Sequence, residues 1–235
     1  MSEAAFRREA FARAKLPLPS GIRPLRIAWV RASVLVFYHA VALLALLPWF
    51  FSWTGAALAV LSFYVFGAAG ISLGYHRLLT HRGFSCPLWV EHVLATLGVC
   101  CVQDTPARWV AVHRKHHHVS DQAADPHSPS VNFFWGHMGW LFVVNRELNP
   151  LGIFDRYARD VLRDPFYAAM ERGYSYLWIN LLSWLLFFGG GLLAGLVAGE
   201  GVGTAAQFSL LVWGVFVRTV LHLHATWSVN SVTHR

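Results

Sequence analysis

Long apolar stretches flank a polar middle in this chain. A helix needs ~20 residues to cross a bilayer core. Four stretches are long enough: Ala28 to Phe51, Trp53 to Leu73, Tyr174 to Ala198 and Thr204 to Leu223. Arg31 and His39 interrupt the first, Arg218 sits near the end of the fourth, and Gly189, Gly190 and Gly191 form a candidate kink in the third. Within each half the two stretches are joined by few residues, which predicts two helical hairpins. A further apolar run, Pro87 to Val102, carries Glu91 and His92 and is short for a crossing. Spanning there would also place the flanking histidine clusters on opposite membrane faces. It reads as a helix half-buried at the membrane surface or packed under a cytoplasmic cap.

The predicted fold class is an all-α membrane protein, with four transmembrane helices as two hairpins and a cytoplasmic helical cap carrying histidine boxes. The chain is expected to form a single membrane-embedded domain, 1–235, with segment 1–27 and cap segment 75–173 both cytoplasmic. Composition supports this. Charged residues make up 13% of the chain, against about 25% in soluble proteins. The net charge of +7 could suggest nucleic acid, but its distribution points elsewhere. Seven Lys and Arg lie between Arg7 and Arg31, ten between Arg77 and Arg172, and none in the short loops near Phe51 to Thr54 and Gly199 to Gly203. That is the positive-inside asymmetry of an integral membrane protein. It places the termini and the cap on the cytoplasmic side (the inner membrane in a bacterium) and gives no reason to expect a nucleic-acid partner. Cys86, Cys100 and Cys101 form no paired framework and read as apolar fillers.

The chemistry lies in the histidines. The second apolar run ends in His76-Arg77-Leu78-Leu79-Thr80-His81, and His113-Arg114-Lys115-His116-His117-His118 follows. On a helix, His113, His116 and His117 share a face, with Arg114 and Lys115 pointing elsewhere and His118 off that face. Imidazole is a general ligand for iron, zinc and copper. His76 and His81 are about 140° apart on an ideal α-helix. They share one centre if the helix frays there, or else bind different metals. Isolated His39, His92, His127, His137 and His222 read as structural. A metal transporter would carry its ligands at mid-membrane; here they cluster at helix ends.

The boxes HRLLTH and HRKHH, the stretch SDQAADPHSP before FFWGHMGWLF, and HATWSVNSVTH at the end of the fourth apolar run together resemble the membrane fatty acid desaturase family. The resemblance covers nearly everything beyond the first apolar run. It implies a non-haem centre of two iron ions, Fe2+, on the cytoplasmic side, with His76, His81, His113, His116, His117 and His234 as ligands and Asn230 reaching one metal through water. It implies that Trp109, Thr226 and Trp227 shape a kinked acyl tunnel, with Gln103 nearby. The implied function is oxygen-dependent desaturation of a lipid acyl chain, the Δ9 position being the family default. The expected partners are a fatty-acyl lipid or thioester, dioxygen, the membrane, and an electron donor such as ferredoxin or cytochrome b5. No flavin or nicotinamide fingerprint is visible. A hydroxylase on the same boxes is the neighbouring alternative, and the Asn230 to His234 signature favours desaturation.

Such chemistry fits a metal centre. An unactivated methylene has no acidic proton, so acid–base groups cannot start the reaction, and histidine ligands resist oxidation better than thiolates. Two departures from the family stand out. Ala111 and Val112 occupy positions where the acyl-CoA branch has Arg-Asp. The family's third box, H-N-x-H-H, belongs downstream of Asn230, whereas the sequence ends at Arg235. The expectation is a C-terminally incomplete desaturase domain that is inactive as it stands.

Overall fold

The computed structural model describes residues 15–197, 199 and 205–233. Four of its helices are long and apolar enough to span a membrane. They are α1 (Trp29–Leu46), α2 (Trp53–Thr80), α8 (Ser175–Val197) and α9 (Gln207–Thr233). Between them lie α3 (Leu88–Val99), α4 (Pro106–His118), α5 (Phe133–His137), α6 (Pro150–Tyr157) and α7 (Pro165–Glu171). The described residues contain one isolated β-bridge, Ile27 to Val143, and no strand. The chain is thus an all-α integral membrane protein.

The helices differ from the apolar runs in informative ways. α2 and α9 continue past Leu73 and Leu223, to Thr80 and Thr233. Packing sustains a helix after its hydrophobic run has stopped, because each added turn closes its own backbone hydrogen bonds. These polar extensions carry His76 on α2, with His81 as its C-cap, and the 224–233 segment on α9. α8 runs unbroken through Gly189, Gly190 and Gly191. Gly191 is used for close approach, since a Cβ there would meet the Gln207 backbone of α9 at 2.8 Å. The first hairpin connection packs against the start of α9. Ser52 caps α2 through the Gly55 N–H and its hydroxyl lies 2.6 Å from that of Ser209, while the Trp213 indole donates to the Phe50 carbonyl.

α3 packs against α2 through glycines. A Cβ on Gly70 would lie 2.3 Å from the Gly98 nitrogen. The polar residues of α3 reach toward the elements after α6: Glu91 accepts from the Tyr167 hydroxyl at 2.9 Å, and the His92 ring lies 2.7 Å from the Asp164 carboxylate. The C-terminus of α3 receives the Arg218 guanidinium, which donates to the Cys100 carbonyl and lies over the Phe66 ring. The main core joins Ile71, Tyr75 and Leu79 of α2 to Ala107, Val110 and Ala111 of α4. Ala111 is fully buried there, so a long charged side chain has no room at that position. Cys86, Cys100 and Cys101 are free thiols.

Candidate metal centre

Backbone geometry at the end of α2 builds the site. From Phe63 to Thr80 this helix has the wider π pitch, in which each N–H bonds five residues back rather than four. The last such bond runs from the His81 N–H to the His76 carbonyl, 3.1 Å. Residues five apart therefore share a face, and the two Nε2 atoms sit 3.1 Å apart. Arg82, at φ 51°, then turns the chain out of the helix, and the Gly83 N–H closes on the Arg77 carbonyl. Fraying is not what unites the first box; a change of helical pitch is.

α4 supplies the facing pair. Pro106 opens it, and its apolar face docks on Tyr75 and Leu79. His113 and His117, one turn apart, hold their Nε2 atoms 3.0 Å from each other. Ligand nitrogens of His76, His81, His113 and His117 all lie within 4.8 Å of one another. Burial first, and then the neighbouring His117 and His76 imidazoles, push His113 down to about 2. That ring is neutral near pH 7, with a lone pair free to bind a cation.

His116 belongs to a second group, completed by Asp125 and His127, whose ligand atoms also lie within 4.8 Å of one another. Its Nδ1 is 3.0 Å from both Asp125 oxygens, and its ring is 4.4 Å from that of His127. A carboxylate on Nδ1 holds the proton there and leaves Nε2 as the ligand atom, the usual arrangement of metal-binding histidines. Asp125 also accepts from the Asp121 and His127 N–H groups. Burial works to raise its carboxyl, yet the His116 hydrogen bond and the neighbouring His127 hold it below its ordinary value. So the face expected to carry three histidines divides into His113 with His117, and His116 with Asp125 and His127. Both groups contain only donors that suit a divalent metal. His118 lies apart, 3.5 Å from Arg156. Lys115 turns away to Glu147 at 2.6 Å. His234 lies outside the described residues.

His76 and His113 also line a cavity of about 890 Å³, together with Trp109, Thr226, Trp227 and Asn230. Gln103 ties this wall together, donating to the Thr226 hydroxyl at 3.0 Å and accepting from the Trp109 indole at 3.3 Å. Its neighbours Val102 and Asp104 adopt φ of 58° and 80°, a strained backbone for a β-branched residue.

Two histidines that read as isolated, His39 and His137, form a chain with His224 beside Trp227. His39 Nδ1 donates to the Leu35 carbonyl, so its Nε2 accepts from His224 Nε2 at 3.1 Å. His224 Nδ1 then accepts from His137 Nε2 at 3.0 Å, and His137 Nδ1 from the Ser231 hydroxyl. Opposite nitrogens of His224 are engaged, so the three rings do not converge on one point.

A family model described as fatty acid desaturase matches residues 51–235. The chain is 37% identical over 210 residues to an sn-2 palmitoyl-lipid 9-desaturase of Nostoc sp., covering 89% of this chain and 67% of that one. It is 36% identical to an sn-1 stearoyl-lipid 9-desaturase of Anabaena variabilis, covering 89% and 70%. It is also 36% identical to an acyl-CoA 5-desaturase of Anemone leveillei, covering 89% and 62%. The chain spans about two thirds of the length of these relatives.

Proposed function

The chain belongs to the fatty acid desaturase family, and on that basis we propose that the protein introduces a cis double bond, at the Δ9 position, into a lipid-bound fatty-acyl chain. Two hydrogens leave adjacent methylenes, two electrons arrive from an external carrier such as ferredoxin or cytochrome b5, and dioxygen with two protons becomes two waters. The observation that carries the reading is that two histidines of the four-imidazole cluster, His76 and His113, open onto a cavity whose other walls are largely apolar.

In this proposal His76, His81, His113, His117 and His116 hold two iron ions, with His234 as a further ligand and Asn230 linked to one metal through water by family resemblance. The iron pair, when bound, supplies the oxidising power that an unactivated methylene demands. The residues of the chain do the remaining work. Asp125 keeps His116 in one tautomer. The neutral state of His113 lets it ligate without first losing a proton. Leu35, Ile71, Leu141 and Leu223 line the cavity and exclude water from the reacting carbons. Trp109, Thr226, Trp227 and Gln103 set where along the acyl chain the reactive carbons stop. The Lys and Arg asymmetry supports a cytoplasmic site.

The test is lipid analysis in a host that lacks desaturase activity. New Δ9 monounsaturated chains are expected from the chain joined to a relative's H-N-x-H-H segment, and none once that fusion carries His113→Ala at equal expression. Hydroxylated chains in place of unsaturated ones would overturn the reaction type.

A further inference from the structure

The cavity has a charged end that the acyl chemistry does not use. Its wall includes Arg31, Asp104 and Arg108, beside Ile27, Trp29 and Val30, which are 48%, 70% and 83% exposed. The cavity therefore opens here, at the start of α1. Arg108 Nε donates to the Asp104 carboxylate at 3.1 Å. Arg31 makes no hydrogen bond or ion pair with any described residue, and its charged neighbours are Asp104 and Arg108. Glu171 lies beside Arg108 and Asp104 but is not part of the cavity wall, so Arg31 is the guanidinium of this wall that no described carboxylate hydrogen-bonds.

A half-buried cation without a partner is costly at the edge of a membrane. The cost is met if a ligand supplies an oxyanion. The planar guanidinium fork matches the oxygens of a phosphate. Hydrocarbon fits below, where Phe63, Ala68 and Ile71 line the cavity. We propose that Arg31, with Arg108 steered by Asp104, forms a phosphate subsite at the tunnel mouth, so that the acyl chain is presented on an anionic phospholipid. An uncharged sugar headgroup would leave Arg31 unpaired. An acyl-CoA also carries phosphates, but Ala111 and Val112 offer its head no charge beside the second box. The inference rests on the reading of the cavity as an acyl tunnel.

Lipids with brominated acyl chains quench tryptophan on contact, and Trp109, Trp140 and Trp227 line this cavity. The purified full chain in detergent is titrated with brominated phosphatidylglycerol, monogalactosyldiacylglycerol and acyl-CoA. Phosphatidylglycerol should half-saturate at about tenfold lower concentration than the galactolipid, as one charge-assisted contact implies. Arg31→Gln should abolish that difference and Arg31→Lys should keep part of it. Arg26→Gln, an exposed cation outside the cavity, should leave it unchanged. Asp104→Asn, which frees Arg108, should widen it, so the idea stays testable even if Arg31→Gln fails to fold. Equal binding of the two glycerolipids, an unchanged preference in Arg31→Gln, a narrowed one in Asp104→Asn, or tighter binding of acyl-CoA than of phosphatidylglycerol would overturn the subsite. If no brominated chain quenches the parent, the acyl-tunnel reading falls as well.

Discussion

Replacing Arg114 by Met should loosen the joint that sets the distance between the two histidine pairs. Arg114 follows His113 directly, yet its side chain reaches α2. Nη2 donates to the Leu79 carbonyl at 2.8 Å and Nε to the Thr80 carbonyl at 3.2 Å, while Nη1 donates to the Tyr157 carbonyl at 2.8 Å. Both Nη atoms bond Asp160, at 2.6 and 3.1 Å. Leu79 and Thr80 end α2, where carbonyls lack intrahelical partners. Three charge-assisted bonds to carbonyls would be worth about 1.5–3 kcal/mol each if fully shielded. The Arg114 side chain is 22% exposed and that of Asp160 42%, so water replaces part of the loss and the ion pair adds at most ~1 kcal/mol. A net destabilisation of about 2–4 kcal/mol follows. For a chain of this size it lowers the melting temperature in detergent by on the order of 5–10 °C. Arg114→Lys keeps the charge but not the fork, and should recover only part. Bound iron should fall in parallel with the lost alignment of His76 and His81 against His113 and His117. A Met variant that melts with the parent and retains its iron would refute this role.

The same clamp has a pH signature. Burial works to raise the Asp160 carboxyl, but hydrogen bonds from Arg114 and Arg82 overcome it and hold the group at about 2. A depressed folded-state value gives stability that is present above roughly pH 4 and lost as pH falls toward about 2. Asp160→Asn should lower the melting temperature near pH 7 and flatten its fall at low pH; parallel pH curves for parent and variant would contradict this. Asp125→Asn should speed iron loss to a chelator, because His116 loses the carboxylate that orders it, and an unchanged rate would remove Asp125 from the site. In a chain completed by a relative's third box, Trp227→Ala, which enlarges the tunnel wall, should change the acyl lengths or positions desaturated, and an identical product profile would argue against a tunnel role. A single cysteine at Ser52, in a connection between spans, should react with impermeant reagent only from the side opposite the cap; labelling from the cap side would invert the topology.

Spans and boxes were legible because each is a local pattern. A run of apolar residues needs no partner to be recognised, and His113 and His117 follow from the α-helical repeat. The union of His76 with His81 was not legible, because it depends on a π pitch over Phe63 to Thr80, whereas the ordinary α-helical repeat puts residues five apart about 140° from each other. Asp125 and His127 had a sequence signal, the stretch SDQAADPHSP, but their approach to His116 comes from a loop fold that no periodicity describes. Arg114 read only as pointing away from the histidine face, and its partners at Leu79, Thr80, Tyr157 and Asp160 lie 34 to 46 residues away along the chain. His39, His137 and His224 come from α1, α5 and α9, and only the packing of those helices joins them.

The most direct test of the account is iron per polypeptide in the purified protein, with single alanine replacements across the histidines. The account predicts bound iron that drops for His76→Ala, His81→Ala, His113→Ala and His117→Ala alike, since their nitrogens share one cluster, and that persists in His118→Ala. Iron content indifferent to all five replacements, or equally lowered by His118→Ala, would contradict it.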